Sequence, residues 1–326
     1  MFLVTGGAGF IGSNLVAALV AQGREVVICD RLRSSDKWKN IAKHAVADIV
    51  SPKELPTWLE GRKGRIETVF HMGAISATTE RDVDRIVECN VRLSRFLWDW
   101  CSGQQCGLVY ASSAATYGDG ALGFVDSNAL EHLVRLRPLN PYGWSKALFD
   151  IQAMRMARAG HEPRFWAGLK FFNVYGPNEY HKGGMRSVAV QMYESFRDTS
   201  VIRLFRSANP RYADGGQMRD FVWVGDCVDM MLWCAATGSV KGVYNCGSGQ
   251  ARSFHDLARA VFAACGRDGE IEWDDTPPEI ARHYQYFTQA DMTRVRAAGF
   301  AAPRLSLEDG VARYLREYLM KDDVYA

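Results

Sequence analysis

The chain has 326 residues, 48% of them hydrophobic and 23% charged, enough for one large α/β domain carrying a smaller lobe. Its formal net charge of +2 is too small and too evenly spread to point to nucleic acid or an anionic membrane as a partner. No apolar run approaches the roughly 18 residues of a membrane-spanning helix. The first motif begins at Thr5, which leaves no room for a cleaved leader, and the eight cysteines form no CxxC pair. A cytoplasmic chain with reduced thiols is expected.

In chain order, Phe2-Leu3-Val4-Thr5 is a short apolar run stopping at glycines, which predicts a buried strand. Ile11, Leu15, Ala18 and Leu19 mark one face of a helix, and residues 25–30 a second strand. Further strands are predicted over 68–71, 107–111 and 167–172, separated by helical patterns over 83–100 and 143–158. Strands alternating with helices imply parallel strands joined by right-handed crossovers, hence an α/β fold with a doubly wound parallel sheet of the Rossmann kind. Beyond Asn173 the rhythm loosens, and 208–217 is a polar, turn-rich loop. A strand over 221–224, a helix over 226–236 and a last strand over 242–245 follow. Amphipathic helices are expected around Leu257, Val261 and Phe262, and from Val311 to Leu319. The expected division is a nucleotide domain of 1–172 with 221–249, and a smaller C-terminal α/β substrate lobe of 173–220 with 250–326.

Thr5-Gly6-Gly7-Ala8-Gly9-Phe10-Ile11-Gly12 places Gly6, Gly9 and Gly12 between a strand and a helix. Glycine permits the tight turn and lets the backbone approach a pyrophosphate, which rests on the helix N-terminus. Asp30, at the end of the next strand, is placed for the adenosine ribose hydroxyls, which favours NAD. Arg31, Arg33 and Lys37 follow at once and suit a 2′-phosphate, so NADP is preferred and NAD is the alternative. Tyr142-Gly143-Trp144-Ser145-Lys146 sets Tyr142 and Lys146 one helical turn apart, and Ser112-Ser113 ends a strand at the edge where parallel sheets present ligands. An adjacent ammonium and a positive nicotinamide would favour the Tyr142 phenolate. Ser113 would hold the reacting oxygen, and Lys146 the ribose.

The glycine loop, Ser113, Tyr142 and Lys146 resemble the extended short-chain dehydrogenase/reductase superfamily over nearly the whole chain. Four stretches are more specific: Tyr110-Ala111-Ser112-Ser113-Ala114-Ala115-Thr116-Tyr117-Gly118, Phe172-Asn173-Val174-Tyr175-Gly176-Pro177, His181-Lys182-Gly183 and Gln285-Tyr286-Phe287-Thr288-Gln289-Ala290-Asp291. Together they are similar to the ADP-glyceromanno-heptose 6-epimerases, which make the heptose donor of the lipopolysaccharide inner core. The resemblance implies a small-molecule substrate, ADP-glycero-manno-heptose, oxidised at C6 to a ketone and re-reduced on its other face by a retained cofactor. It implies Tyr142 and Lys182 as the two acid/base groups, with a homo-oligomer, pentameric by resemblance. For Lys182, pairing with the substrate diphosphate is the other reading, and His181 positions the loop with no metal expected.

By the same resemblance Phe10, Ile11, Asn90, Val174, Lys182 and the Gly73-Ala74-Ile75-Ser76 turn line the cofactor, while Asn173, Phe205, Arg219 and Tyr284 meet substrate, Arg219 at the diphosphate. Gly184 stands where the family pattern has a small hydroxyl, Gln191 replaces a histidine at a substrate-side position, and the 208–217 loop is longer. A 4,6-dehydratase would need carboxylic acids where Ala114 and Ala115 stand. A UDP-hexose 4-epimerase or a nucleotide-sugar reductase of the same superfamily stays open as the alternative.

Overall fold

Strands covered on both faces read as unbroken apolar runs. In the computed structural model, which describes residues 1–276, 285–300 and 305–326, five of the runs predicted from sequence form the middle of one sheet, the run at 242–245 forms its edge, and the run at 221–224 joins a smaller sheet. The strands are β1 (Phe2–Thr5), β2 (Val26–Cys29), β3 (Asp48–Val50), β4 (Thr68–His71), β5 (Gly107–Ser113), β6 (Trp166–Phe171), β7 (Asn173–Tyr175), β8 (Val201–Phe205), β9 (Met218–Trp223), β10 (Lys241–Cys246), β11 (Ala251–Ser253) and β12 (Glu270–Asp274). Seven of them pair in the order β10-β6-β5-β4-β1-β2-β3, parallel throughout. The order runs outward from β1 in both directions, so the carboxyl ends of β1 and β4 flank a crevice where the winding reverses.

The helices α1 (Phe10–Ala21), α2 (Leu55–Glu60), α3 (Val83–Ile86), α4 (Leu93–Gln104), α5 (Leu130–Leu133), α6 (Pro141–Arg158), α7 (Val188–Thr199), α8 (Val224–Thr237) and α9 (Phe254–Cys265) supply the crossovers and the lobe. The single helix expected over 83–100 is instead α3, a π-helical turn at Val87–Arg92 and α4. α6 starts where its sequence dictates: the Asn140 side chain accepts from Gly143 N at 2.8 Å and Pro141 opens the first turn. That start fixes Tyr142 in the first turn and Lys146 one turn on. Under the sheet, Trp98 of α4 meets Trp166 of β6 edge-on at 4.9 Å, a contact worth about 1 kcal/mol beyond the area it buries.

A second apolar cluster lies beside the first, built from α7, α9, β8 and the helix Leu307–Tyr314, with Phe196 and Phe262 at 4.9 Å. Two small sheets serve it, β11-β9-β7 and β12-β8. Ala290, Met292 and Val295 return to the first cluster. The last residues fold back over the chain: Tyr180 Oη donates to the Val324 carbonyl at 2.7 Å, Lys43 Nζ to the Tyr325 carbonyl at 2.6 Å, and Ala326 N to Asn178 Oδ1 at 3.0 Å.

Candidate active site

The turn from β1 into α1 is built from positions that a side chain would block. Gly6 takes φ +64°, and a Cβ there would stand 2.6 Å from the Gly73 amide nitrogen; a Cβ at Gly12 would run into the Gly6 carbonyl. α1 begins with no side-chain cap and no acidic residue in its first turn, so its N–H groups and positive end face the crevice. These are the requirements of a dinucleotide pyrophosphate, and the residues fit that group.

The facing loop is held from behind. Gly73 N donates to Thr5 Oγ1 at 3.1 Å, Thr5 Oγ1 meets His71 Nδ1 at 2.6 Å, and His71 Nε2 meets Ser94 Oγ at 2.8 Å. Burial, helped by Lys146, holds His71 down at about 3, so it is a neutral relay of hydrogen bonds. Asn90, in the π-helical turn, accepts from Ile75 N at 2.8 Å and donates to the Ile75 carbonyl at 2.9 Å and to Ser145 Oγ at 3.0 Å. It is fully buried, so the structure places it behind the Gly73–Ser76 loop as its brace.

Both oxygens of Asp30 are engaged: Oδ2 accepts from Ala8 N at 2.9 Å, and Oδ1 from Arg31 N at 2.6 Å and from Lys37 Nζ. Beside it, Arg31, Arg33, Ser35 and Arg85 line a cavity of about 400 Å³. Lys37 therefore neutralises Asp30 instead of standing on the surface; its side chain is 18% exposed.

A cleft of about 450 Å³ runs from the glycine turn past the ends of β5 and β6. It gathers Gly6, Gly9, Phe10, Ile11, Gly12, Asp30, Lys37, Gly73, Ala74, Ser76, Ser113, Tyr142, Lys146, Asn173, Val174 and Lys182. Ser113 ends β5, and its hydroxyl hydrogen-bonds that of Tyr142. Burial pushes the Tyr142 phenol up, the Ser113 hydrogen bond pulls it down, and Asp150 pushes it up again. Burial brings Lys146, 3% exposed, from 10.5 down to about 8, against an upward pull from Asp150. Lys182 enters from the turn Tyr180–Met185, with its ammonium 5.4 Å from the centre of the Phe10 ring. Burial lowers it and Glu179 raises it. The cleft thus holds a phenol and an amine on separate elements, both lining it together with the glycine turn.

Other expected residues lie outside this lining. Arg219 stacks its guanidinium 5.6 Å from the ring of Phe254, and Phe254 lines the cleft. Phe205 closes β8 and accepts from Gly215 N through its carbonyl. Gly184 is exposed on the Lys182 turn, and Gln191 is exposed on α7, donating to the Arg186 carbonyl at 2.7 Å. Tyr284 lies outside the described residues. A wider groove of about 610 Å³, between Phe2, Arg24, Trp233 and Phe300, sits at the amino ends of the strands, away from all of these groups.

Sequence reasoning missed the polar layer under the cleft. Asp150, fully buried, accepts from Tyr110 Oη at 3.0 Å, Ser112 Oγ at 2.8 Å and Lys170 Nζ at 2.7 Å. Its signal was present: Tyr142, Lys146 and Asp150 recur every fourth residue on one face of α6. Glu179, three residues before Lys182, carried no such signal.

Residues 2–247 match the NAD dependent epimerase/dehydratase family. The chain is 48% identical over 328 aligned residues to the ADP-L-glycero-D-manno-heptose-6-epimerase of Nitratidesulfovibrio vulgaris strain DP4, with 100% of both chains covered. Among solved structures it is similar to Helicobacter pylori ADP-L-glycero-D-manno-heptose-6-epimerase, at TM-score 0.80 and 27% identity over 97% of this chain and 95% of that one. It is also similar to a UDP-glucose 4-epimerase of Thermus thermophilus in complex with NAD, at TM-score 0.73 and 25% identity over 96% of this chain and 97% of that one.

Proposed function

The chain belongs to the NAD dependent epimerase/dehydratase family and, within it, to the ADP-L-glycero-D-manno-heptose 6-epimerases, and from that premise we propose how its cleft inverts C6 of the heptose. The reaction is an isomerisation of a nucleotide sugar that uses a nicotinamide cofactor. Bound on the glycine turn, the nicotinamide dinucleotide supplies an acceptor and then a donor of hydride, so that the C6 alcohol passes through a ketone with no net redox change.

The residues of the chain handle the proton. One of the pair Tyr142 and Lys182 takes the hydroxyl proton as the C6–H bond breaks, and the other protonates the ketone oxygen when the C–H bond re-forms on the opposite face. Burial pushes the Tyr142 phenol up and the Lys182 ammonium down, which favours the phenol as the acid and the amine as the base. Ser113 holds the reacting oxygen beside Tyr142. Lys146 holds the ribose. Asn173 and Arg219 meet the substrate, Arg219 at its diphosphate, and Gly184, Gln191, Phe205 and Tyr284 are the further substrate positions that the family resemblance implies.

The cofactor is NADP: Lys37 already neutralises Asp30, and Arg31 and Arg33 line the adjoining cavity. The enzyme works in the cytoplasm as a homo-oligomer, with a pentamer as the expected count. The single observation that carries the two-base reading is the convergence of Tyr142 and Lys182 on one cleft with the glycine turn. Conversion of ADP-D-glycero-D-manno-heptose, followed by NMR, tests it. Tyr142→Phe and Lys182→Ala are each expected to slow turnover by about 10²–10⁴. Mass spectrometry of the dinucleotide released by heat is expected to give NADP, and NAD would reverse the cofactor choice.

A further inference from the structure

The turn that carries Lys182 is held by a carboxylate with no part in the proton transfers above. Glu179 is fully buried, and its oxygens accept from Ser187 N, from Ser187 Oγ at 2.6 Å and from Tyr314 Oη at 3.0 Å. Burial pushes the Glu179 carboxyl up, while the hydrogen bonds from Ser187, the Lys182 charge and the hydrogen bond from Tyr314 pull it down toward the carboxylate. The Glu179 carbonyl also accepts from Lys182 N at 3.0 Å. One residue thereby joins three elements: the Lys182 turn, the start of α7 at Ser187, and the helix Leu307–Tyr314.

Building on the reading of Lys182 as the second acid/base group, we propose that Glu179 is its positioning residue, clasping the turn to α7 and the C-terminal helix and acting on Lys182 as a carboxylate. Among the surrounding groups, Tyr180 and Tyr314 are pushed up by burial and stay neutral. His181 is held down at about 4 by burial, Lys37 and Lys182, and is neutral too. Lys37 is paired with Asp30 from the nucleotide segment, and Arg186 with Glu194 on α7. Tyr325 of the C-terminal segment packs on Tyr180 and is also pushed up by burial. The charge that pulls Lys182 back toward its protonated form is Glu179. A base that must both take and give a proton is served by that counterweight, since burial pushes Lys182 toward the neutral amine and Glu179 pushes it back.

The test measures pH–rate profiles of epimerisation for the full chain with its retained cofactor, comparing wild type, Lys182→Ala, Glu179→Gln and Glu179→Asp. Glu179→Gln is expected to bind cofactor normally, to lower kcat about tenfold with KM little changed, and to move the limb belonging to Lys182 toward lower pH; removing the catalytic group itself costs about 10²–10⁴. Glu179→Asp is expected to restore part of the rate and of the limb. Wild-type kcat and profile in Glu179→Gln, with Lys182→Ala slowed, overturns the role of Glu179 and leaves Lys182 standing. A slow Glu179→Gln with an unmoved limb and no rescue by Asp also overturns it, as a structural defect. Full activity in Lys182→Ala removes the two-base reading and this inference with it. Should Glu179→Gln fail to fold, Tyr314→Phe, which loosens the clasp and leaves the carboxyl group in place, is expected to lower kcat with KM little changed, and a wild-type kcat counts against the proposal.

Discussion

Lys146 is a charge placed where its fold disfavours it. Burial lowers it from 10.5 to about 8, so the folded chain binds that proton less tightly than the unfolded chain does. Its contribution to stability is therefore full above 10.5, declines as pH falls, and is lost below about 8. At about 1.4 kcal/mol per pH unit the cost at neutral pH is about 3 kcal/mol. Lys146→Met is expected to raise the stability of the cofactor-free protein at pH 7 by up to that amount while abolishing epimerisation. Thermal denaturation at pH 7 and at pH 10 checks it, the gain being smaller at pH 10. Lys146 was legible in the sequence because it stands one turn from a tyrosine in the first turn of a helix. Asp150 carried the same four-residue spacing on α6, but Lys170 was not legible, because a single charged residue in a strand reads as solvated until its partner, 20 residues away and on another element, is seen at 2.7 Å.

At the scale of elements, the glycine turn was the clearest signal, since its chemistry is local: a strand, three glycines and a helix start lie in one stretch. Gly6→Ala puts a Cβ against Gly73 N at a positive φ, so the turn and the facing loop must part. It is expected to cost about 1–3 kcal/mol and to release the cofactor, which gel filtration followed by absorbance of the protein peak would detect. The buried strands β1, β4 and β10 stand out as apolar runs. β3 and β12 do not: β3 has two exposed residues of three, and β12 alternates exposed and half-buried positions, as edge strands do. The break in the helix predicted over 83–100 was hidden for another reason. Its π-helical turn carries Asn90, whose partners Ile75 and Ser145 come from elsewhere in the chain.

Across the whole molecule, the C-terminal segment ties together two regions that reach the cleft. Val324 and Ala326 hold the Asn178–Tyr180 stretch leading into the Lys182 turn, while Asp323 and Tyr325 hold Lys43, just past Lys37. Removing residues 322–326 is expected to lower the thermal midpoint by a few degrees, for roughly 1–2 kcal/mol of lost hydrogen bonds, and to weaken cofactor retention. Equal midpoints and equal dinucleotide content would show that the segment contributes nothing. These contacts were beyond sequence reasoning because they join the end of the chain to residues 144 and 282 positions away.

The reading of this cleft stands or falls on inversion of C6 by transient oxidation with a retained cofactor. Its most direct test is epimerisation of ADP-D-glycero-D-manno-heptose carrying deuterium at C6, in ordinary water with no added dinucleotide. The expected product is ADP-L-glycero-D-manno-heptose with the deuterium still on C6. Deuterium washed out to solvent, or turnover only when fresh dinucleotide is supplied, would contradict it.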